Sequence, residues 1–151
     1  MSRVDTLATA IGRGLVAGLA GTAAMTISST VEARLRGRAF STAPARATAK
    51  VLGIREFDSD LAQARWNDLS HWGYGTGWGV LRGLLAATPL SARAATVTHG
   101  AAIYGAAQVT LPALEITSPS IFWGLDEVAI DAFHHAVYAT ATGLAYAAIS
   151  S

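Results

Sequence analysis

Residues 14–31 read GLVAGLAGTAAMTISSTV, a run without one ionisable side chain between Arg13 and Glu32. A helix of about 20 such residues, rising about 1.5 Å per residue, covers the roughly 30 Å hydrocarbon core of a bilayer. The run is therefore expected to be a first membrane span, at 11–31. A cleaved signal peptide is the rival reading, but its apolar core is short and ends at a small-residue cleavage site. Here apolar residues continue through Ile27 and Val31 into Glu32.

Two more charge-free lengths lie outward of this one. The first separates Arg93 from Glu115, and the second follows Asp131 to the C-terminus, broken only by His134 and His135. A fourth candidate, 69–88, contains Arg82. That residue lies less than two turns before Pro89, within reach of the interface for a snorkelling side chain. Trp66 and Trp72 at the other end suit the aromatic belt. Charged residues make up 14% of the chain, against roughly 25% in soluble domains. The expected fold is all-α: a single-domain integral membrane four-helix bundle over 1–151, with spans at 11–31, 69–88, 94–114 and 130–150. A soluble all-helical bundle is the competing fold, because alanine-rich helices resemble spans in hydropathy.

The connection 34–68 carries seven basic residues, Arg34, Arg36, Arg38, Arg46, Lys50, Arg55 and Arg65. Ser41 or Thr42 followed by Pro44 marks the start of a short amphipathic helix with Ala47, Val51 and Ile54 on one face. It lies either on the membrane surface or in solvent. The opposite side would hold Arg3, Arg13, Arg82 and Arg93. The positive-inside rule then puts 34–68 in the cytoplasm and both termini outside.

Helices in lipid associate where small residues four apart let backbones approach. Gly75, Gly79 and Gly83 form one such row, and Gly14, Gly18, Thr22, Thr26 and Thr30 form another on the preceding span. The two rows are expected to face each other. HWGYGTGWG from His71 also echoes HAVYATATG from His135: both have tyrosine at +3, threonine at +5 and glycine at +8. The echo points to a duplicated helix hairpin.

All four histidines, His71, His99, His134 and His135, fall in or beside spans, where ionisable groups face a bundle interior or a wet cavity. Glu127, Asp131 and His135 follow at one-turn intervals, and Tyr74 and Tyr138 stand near the histidines. Three readings compete. The acidic residues sit in the first turns of the last helix, where its dipole favours them, and the histidines hydrogen-bond to tyrosines and threonines for packing. Or the His/Tyr/Asp set forms a proton-responsive polar interior, since histidine titrates near neutrality. Or the cluster binds haem or a metal. Asp131 and His134 in DAFHH have the i, i+3 spacing of carboxylate di-iron bundles, but no second copy exists. No metal ligand set and no cofactor is therefore predicted, with haem or metal the lesser alternative.

A net charge of +1 gives no case for nucleic acid. The absence of cysteine removes thiol catalysis and thiolate metal sites. There is no GxSxG, and Lys50 is the only lysine, so no P-loop is present. No catalytic residue is expected.

The glycine-rich start GLVAGLAGTAAM, the TAPAR stretch at 42–46, HWGYGTGWGVLRG and the late HxxY helix resemble the YagU-like family of small bacterial inner-membrane proteins of uncharacterised function. The most specific part is His71, Tyr74, Gly75, Gly79 and Gly83. The resemblance implies a multi-pass protein of the bacterial inner membrane with a link to acid tolerance, and it carries over no catalytic residues. The partners expected are the lipid bilayer, and self-association or other membrane subunits. A structural subunit packing its glycine ridges against partner helices is the alternative function.

Overall fold

The computed structural model describes residues 3–151, and every regular element among them is helical. In chain order these are α1 (Arg3–Arg36), a short α2 (Ala43–Leu52), α3 (Asp60–Ala86), α4 (Ala92–Ala113), a 3₁₀ turn (Ser120–Phe122) and α5 (Leu125–Ser150). The side chain of Arg3, counted above for topology, lies outside the described part.

The helices outrun the charge-free windows because their ends are set by caps. The Ser59 hydroxyl accepts the Ala62 N–H at 3.2 Å and starts α3 well before residue 69. Ser91 does the same for α4 through Ala94 at 3.2 Å. The connection 34–68 thus holds α2 and the first turns of α3. α2 ends at Gly53, whose φ of 71° lets the Ile54 N–H reach back to the Ala49 carbonyl at 2.9 Å. Its packed face differs from expectation. Ala45 and Ala49 are buried, Thr48 bonds Ser70 of α3 at 2.8 Å, and the Trp66 indole donates to the Ala45 carbonyl at 3.0 Å. Ile54 falls beyond the helix.

α1 is the spine of the bundle and packs most extensively on α3 and α5; α5 in turn packs on α4. Close approach of α1 and α3 depends on glycine. A methyl carbon at Gly18 would lie 2.6 Å from the Thr76 carbonyl oxygen and 2.8 Å from the Gly79 Cα, and one at Gly79 would lie 2.6 Å from the Gly18 Cα. Gly83 sits as tightly on the Ala10 carbonyl, Gly75 on Thr22 and Gly14 on Gly79. The α4–α5 contact repeats the device, with Gly143 against Thr96 and Gly100 against Ala139. Glycine at +8 of the echo therefore receives a neighbouring helix in both copies, α1 at Gly79 and α4 at Gly143.

Small residues fill the interior, where Ala10, Ala17, Ala33, Ala95 and Ala139 are buried, while Val16, Ile27, Val97, Val109, Phe133 and Leu144 face outward, each more than half exposed. One helix among the described residues, Val4–Arg36, is long and apolar enough to cross a membrane, with a mean hydropathy of 1.4 over an 18-residue window. α3, α4 and α5 have 27, 22 and 26 residues, and at about 1.5 Å per residue each reaches roughly 30 Å or more. Their glycine, threonine, tyrosine and histidine keep them below that apolarity, and many of these same residues form the helix contacts and the polar interior.

Candidate functional site

α3 and α4 touch only sparingly, and the space between them, closed behind by α1 and α5 and covered by α2, is a cavity of about 1230 Å³. His71, Tyr74, Glu127, Asp131, His134, His135 and Tyr138 all line it.

Hydrogen bonds fix the form of each imidazole. Thr26 gives its single hydroxyl proton to the Thr22 carbonyl at 2.7 Å, so at its 2.7 Å contact with His71 it must accept, and His71 Nε2 carries the hydrogen. Ser28 gives its proton to the Met25 carbonyl at 3.0 Å, so His134 Nδ1, 2.9 Å away, is likewise the donor. Among the described residues His134 Nε2 then has no hydrogen-bond partner, and it stands 3.8 Å from a Glu32 oxygen; a second proton there would turn that approach into an ion pair. His135 Nδ1 donates to the Asp131 backbone carbonyl at 2.8 Å and lies 3.4 Å from its carboxylate. The other carboxylate oxygen of Asp131 accepts from the Gln108 amide at 2.9 Å. The edge of the Tyr104 ring contacts His135, with centroids 5.3 Å apart. Tyr138 donates to the Gly75 carbonyl at 2.5 Å, tying α5 across to α3.

His99 does not line the cavity. It is fully buried beneath Tyr138, with ring centroids 5.7 Å apart, and donates through Nε2 to the Trp78 carbonyl at 3.0 Å. Glu127 leaves the expected acidic row. Its carboxylate pairs with Arg36, which also holds Glu32 at 3.2 Å, while Arg38 Nε donates to Glu32 at 2.9 Å. The Glu32 carboxylate beside Arg38 raises the pKa of that guanidinium above its ordinary value.

Arg82 departs furthest from the sequence reading. Instead of snorkelling outward it is 2% exposed, with its guanidinium 4.7 Å above the Tyr146 ring and its Nε and Nη1 without hydrogen-bond partners among the described residues. Tyr146 gives the cation a π face inside the bundle, which sequence spacing alone does not show. Asp131 and His134 turn to different partners, Gln108 and Ser28, so the DAFHH pair does not converge. Among the described residues no three histidine, aspartate or glutamate side chains gather to hold a metal ion.

Sequence reasoning allowed threonine partners for the histidines without pairing Thr26 with His71, and missed Ser28 as the partner of His134, Gln108 as the partner of Asp131, and Tyr146. Gln108 left a signal, a lone amide in the charge-free run between Arg93 and Glu115; Ser28 left none. No family model, curated protein or solved structure matches this chain.

Proposed function

We propose that the chain is a multi-pass protein of a bacterial inner membrane, and that its cavity is a proton-responsive chamber. The single observation that carries this is the gathering of His71, Tyr74, Asp131, His134, His135 and Tyr138 from two helices onto the wall of one cavity. Imidazoles change charge near neutral pH, and two of them stand near a carboxylate that would pair with the charged form: Asp131 for His135 and Glu32 for His134. The inverted surface supports lipid as the surroundings, since large apolar side chains face outward over small ones. α2, with Val51 and Leu52 more than half exposed, then lies at the cytoplasmic interface. The repeated glycine contact at Gly79 and Gly143 favours a duplicated hairpin, and the likeness to YagU-like proteins agrees with this reading through its link to acid tolerance.

The test uses the full chain in lipid vesicles. Trp78 and Trp123 line the cavity, so their fluorescence should titrate between pH 4 and 8, and His135→Ala should shift or remove that transition while the protein still inserts. A flat titration, or one that His71→Ala and His135→Ala both leave unchanged, refutes the proton-responsive role.

A second reading is a subunit that packs against partner helices; because α1 and α3 occupy each other's glycine ridges, a partner would meet other faces. The outward faces on α4 and α5 are apolar rather than glycine-rich, with Val97, Val109 and Leu144 exposed. Co-purification of a stoichiometric membrane partner, lost in Val97→Asp, would support it.

A further inference from the structure

The ionised groups of the cavity wall decide what it can hold. Four charged residues line it: Arg38, Asp68, Glu127 and Asp131. Arg38 is held by Glu32 and Glu127 by Arg36, so these two are already compensated. Asp131 has no arginine or lysine partner among the described residues. Its contacts are the Gln108 amide and His135, and its side chain keeps 30% of its surface open. Asp68 likewise has no ion pair among the described residues. With His71, His134 and His135 neutral the balance of the wall is therefore negative, and among the described residues no uncompensated guanidinium or ammonium faces the cavity.

The rest of the wall mixes hydroxyls, among them Thr22, Thr26, Ser29, Thr30 and Thr110, with apolar and aromatic side chains. Met25, Ile103, Leu111 and Ile130 give it hydrocarbon surface, and Tyr74 and Trp78, with rings 6.0 Å apart in an edge contact, add π faces. The volume of about 1230 Å³ exceeds the roughly 300–1,000 Å³ usual for a drug-sized ligand, so a molecule of several rings fits. With His135 neutral, an anion or a phosphate-headed lipid would meet Asp131 with only the Gln108 amide to offset it. A neutral molecule would bury the carboxylate without compensation.

We propose that the cavity binds an amphipathic organic cation, with the Asp131 carboxylate as counter-charge and the aromatic wall contributing cation–π attraction. The proposal rests on the cavity being the working site of the protein. It adds the class of ligand.

The probes are tetraphenylphosphonium and tetraphenylborate, which share size and shape and differ in the sign of their charge. Calorimetry on the full chain in mild detergent should show saturable binding of the phosphonium, and binding of the borate weaker by at least about tenfold. Asp131→Asn keeps the amide-sized side chain at that position; it should weaken phosphonium binding by at least about tenfold and erase the preference between the two ions. Ile103→Trp, which pushes a larger ring into the cavity, should weaken binding of both ions alike, with a thermal melt to show the fold intact. Borate binding as tight as phosphonium, no binding of either, or an Asp131→Asn variant with wild-type affinity overturns the proposal. These outcomes are separate from the proton-responsive role, which fails on a flat fluorescence titration whatever the cavity binds.

Discussion

Placing a single methyl group at Gly79 tests the packing of the bundle more sharply than any large substitution. The added carbon would stand 2.6 Å from the Gly18 Cα and 2.8 Å from the Gly18 nitrogen, and closer still to the Gly14 carbonyl oxygen. Carbon atoms in contact prefer about 3.5–4.0 Å, so α1 and α3 must part by about 1 Å. The obstacles are backbone atoms, which cannot rotate away, and the separation loosens Gly14, Gly18 and Gly83 together. Overpacking of this kind costs about 1–3 kcal/mol, and the upper half of that range is expected. Gly77, two residues away on the same helix, has nothing within 4 Å of an added methyl. Gly77→Ala should therefore be neutral or gain up to about 1 kcal/mol from helix propensity. Circular dichroism melts of both variants in the same detergent make the comparison. Equal shifts, or a Gly79→Ala variant as stable as wild type, would refute the close α1–α3 approach.

Other expectations follow from particular contacts. Replacing Arg82 by methionine removes a buried cation whose Nε and Nη1 lack hydrogen-bond partners among the described residues, so the melting temperature should hold or rise, by at most about 4 kcal/mol in stability; a clear drop would show an unseen partner. The Arg82–Tyr146 stack should appear in a double-mutant cycle with Tyr146→Leu as a coupling of about 0.5–2 kcal/mol, and a coupling of zero would remove it. Lys50 donates to the Leu114 carbonyl and to Glu115, both at 2.8 Å, and so ties α2 to the end of α4. Lys50→Met should raise hydrogen exchange across 43–52 and leave the global melt in place, since exposed ion pairs contribute little. The Lys50 ammonium lowers the Glu115 pKa below its ordinary value. The tether is therefore complete above the unfolded-state pKa of about 4.3 and is lost as pH falls through the lower folded value. Protection of α2 should decline only in that acid range, and Lys50→Met should show no such decline.

The long helices were legible because charge marks where a chain avoids lipid or a helix interior: Arg13, Glu32, Arg93, Glu115 and Asp131 bracket the uninterrupted runs. Their ends were less so, since Ser59 and Ser91 act as caps through one hydroxyl each and serine is common elsewhere in the chain. The rows at Gly14 and Gly79 were visible as spacing, and the structure lays one on the other. For the site, the histidines and Asp131 could be named in advance, but not their partners. Thr26 reaches His71 from 45 residues away and Ser28 reaches His134 from 106 residues away; nothing local encodes such pairings. The cavity itself was invisible, because it arises where α3 and α4 fail to pack and α2 bridges the gap. Arg82 misled for a similar reason: a long side chain near a helix end turns toward whichever neighbour receives it, and here that is Tyr146.

The membrane setting underlies the whole account, and the absence of cysteine allows a direct measurement of it. Single variants Val97→Cys and Leu144→Cys place a thiol on outward surfaces that are 72% and 68% exposed in the isolated chain, and Asp58→Cys places one on the exposed connection before α3. Carbonate-washed, opened membranes are treated with a water-soluble maleimide. The account predicts that Asp58→Cys reacts quickly while Val97→Cys and Leu144→Cys stay unlabelled until the membrane is dissolved and the protein unfolded. Labelling of all three at the same rate, or recovery of the protein in the soluble fraction, would contradict it.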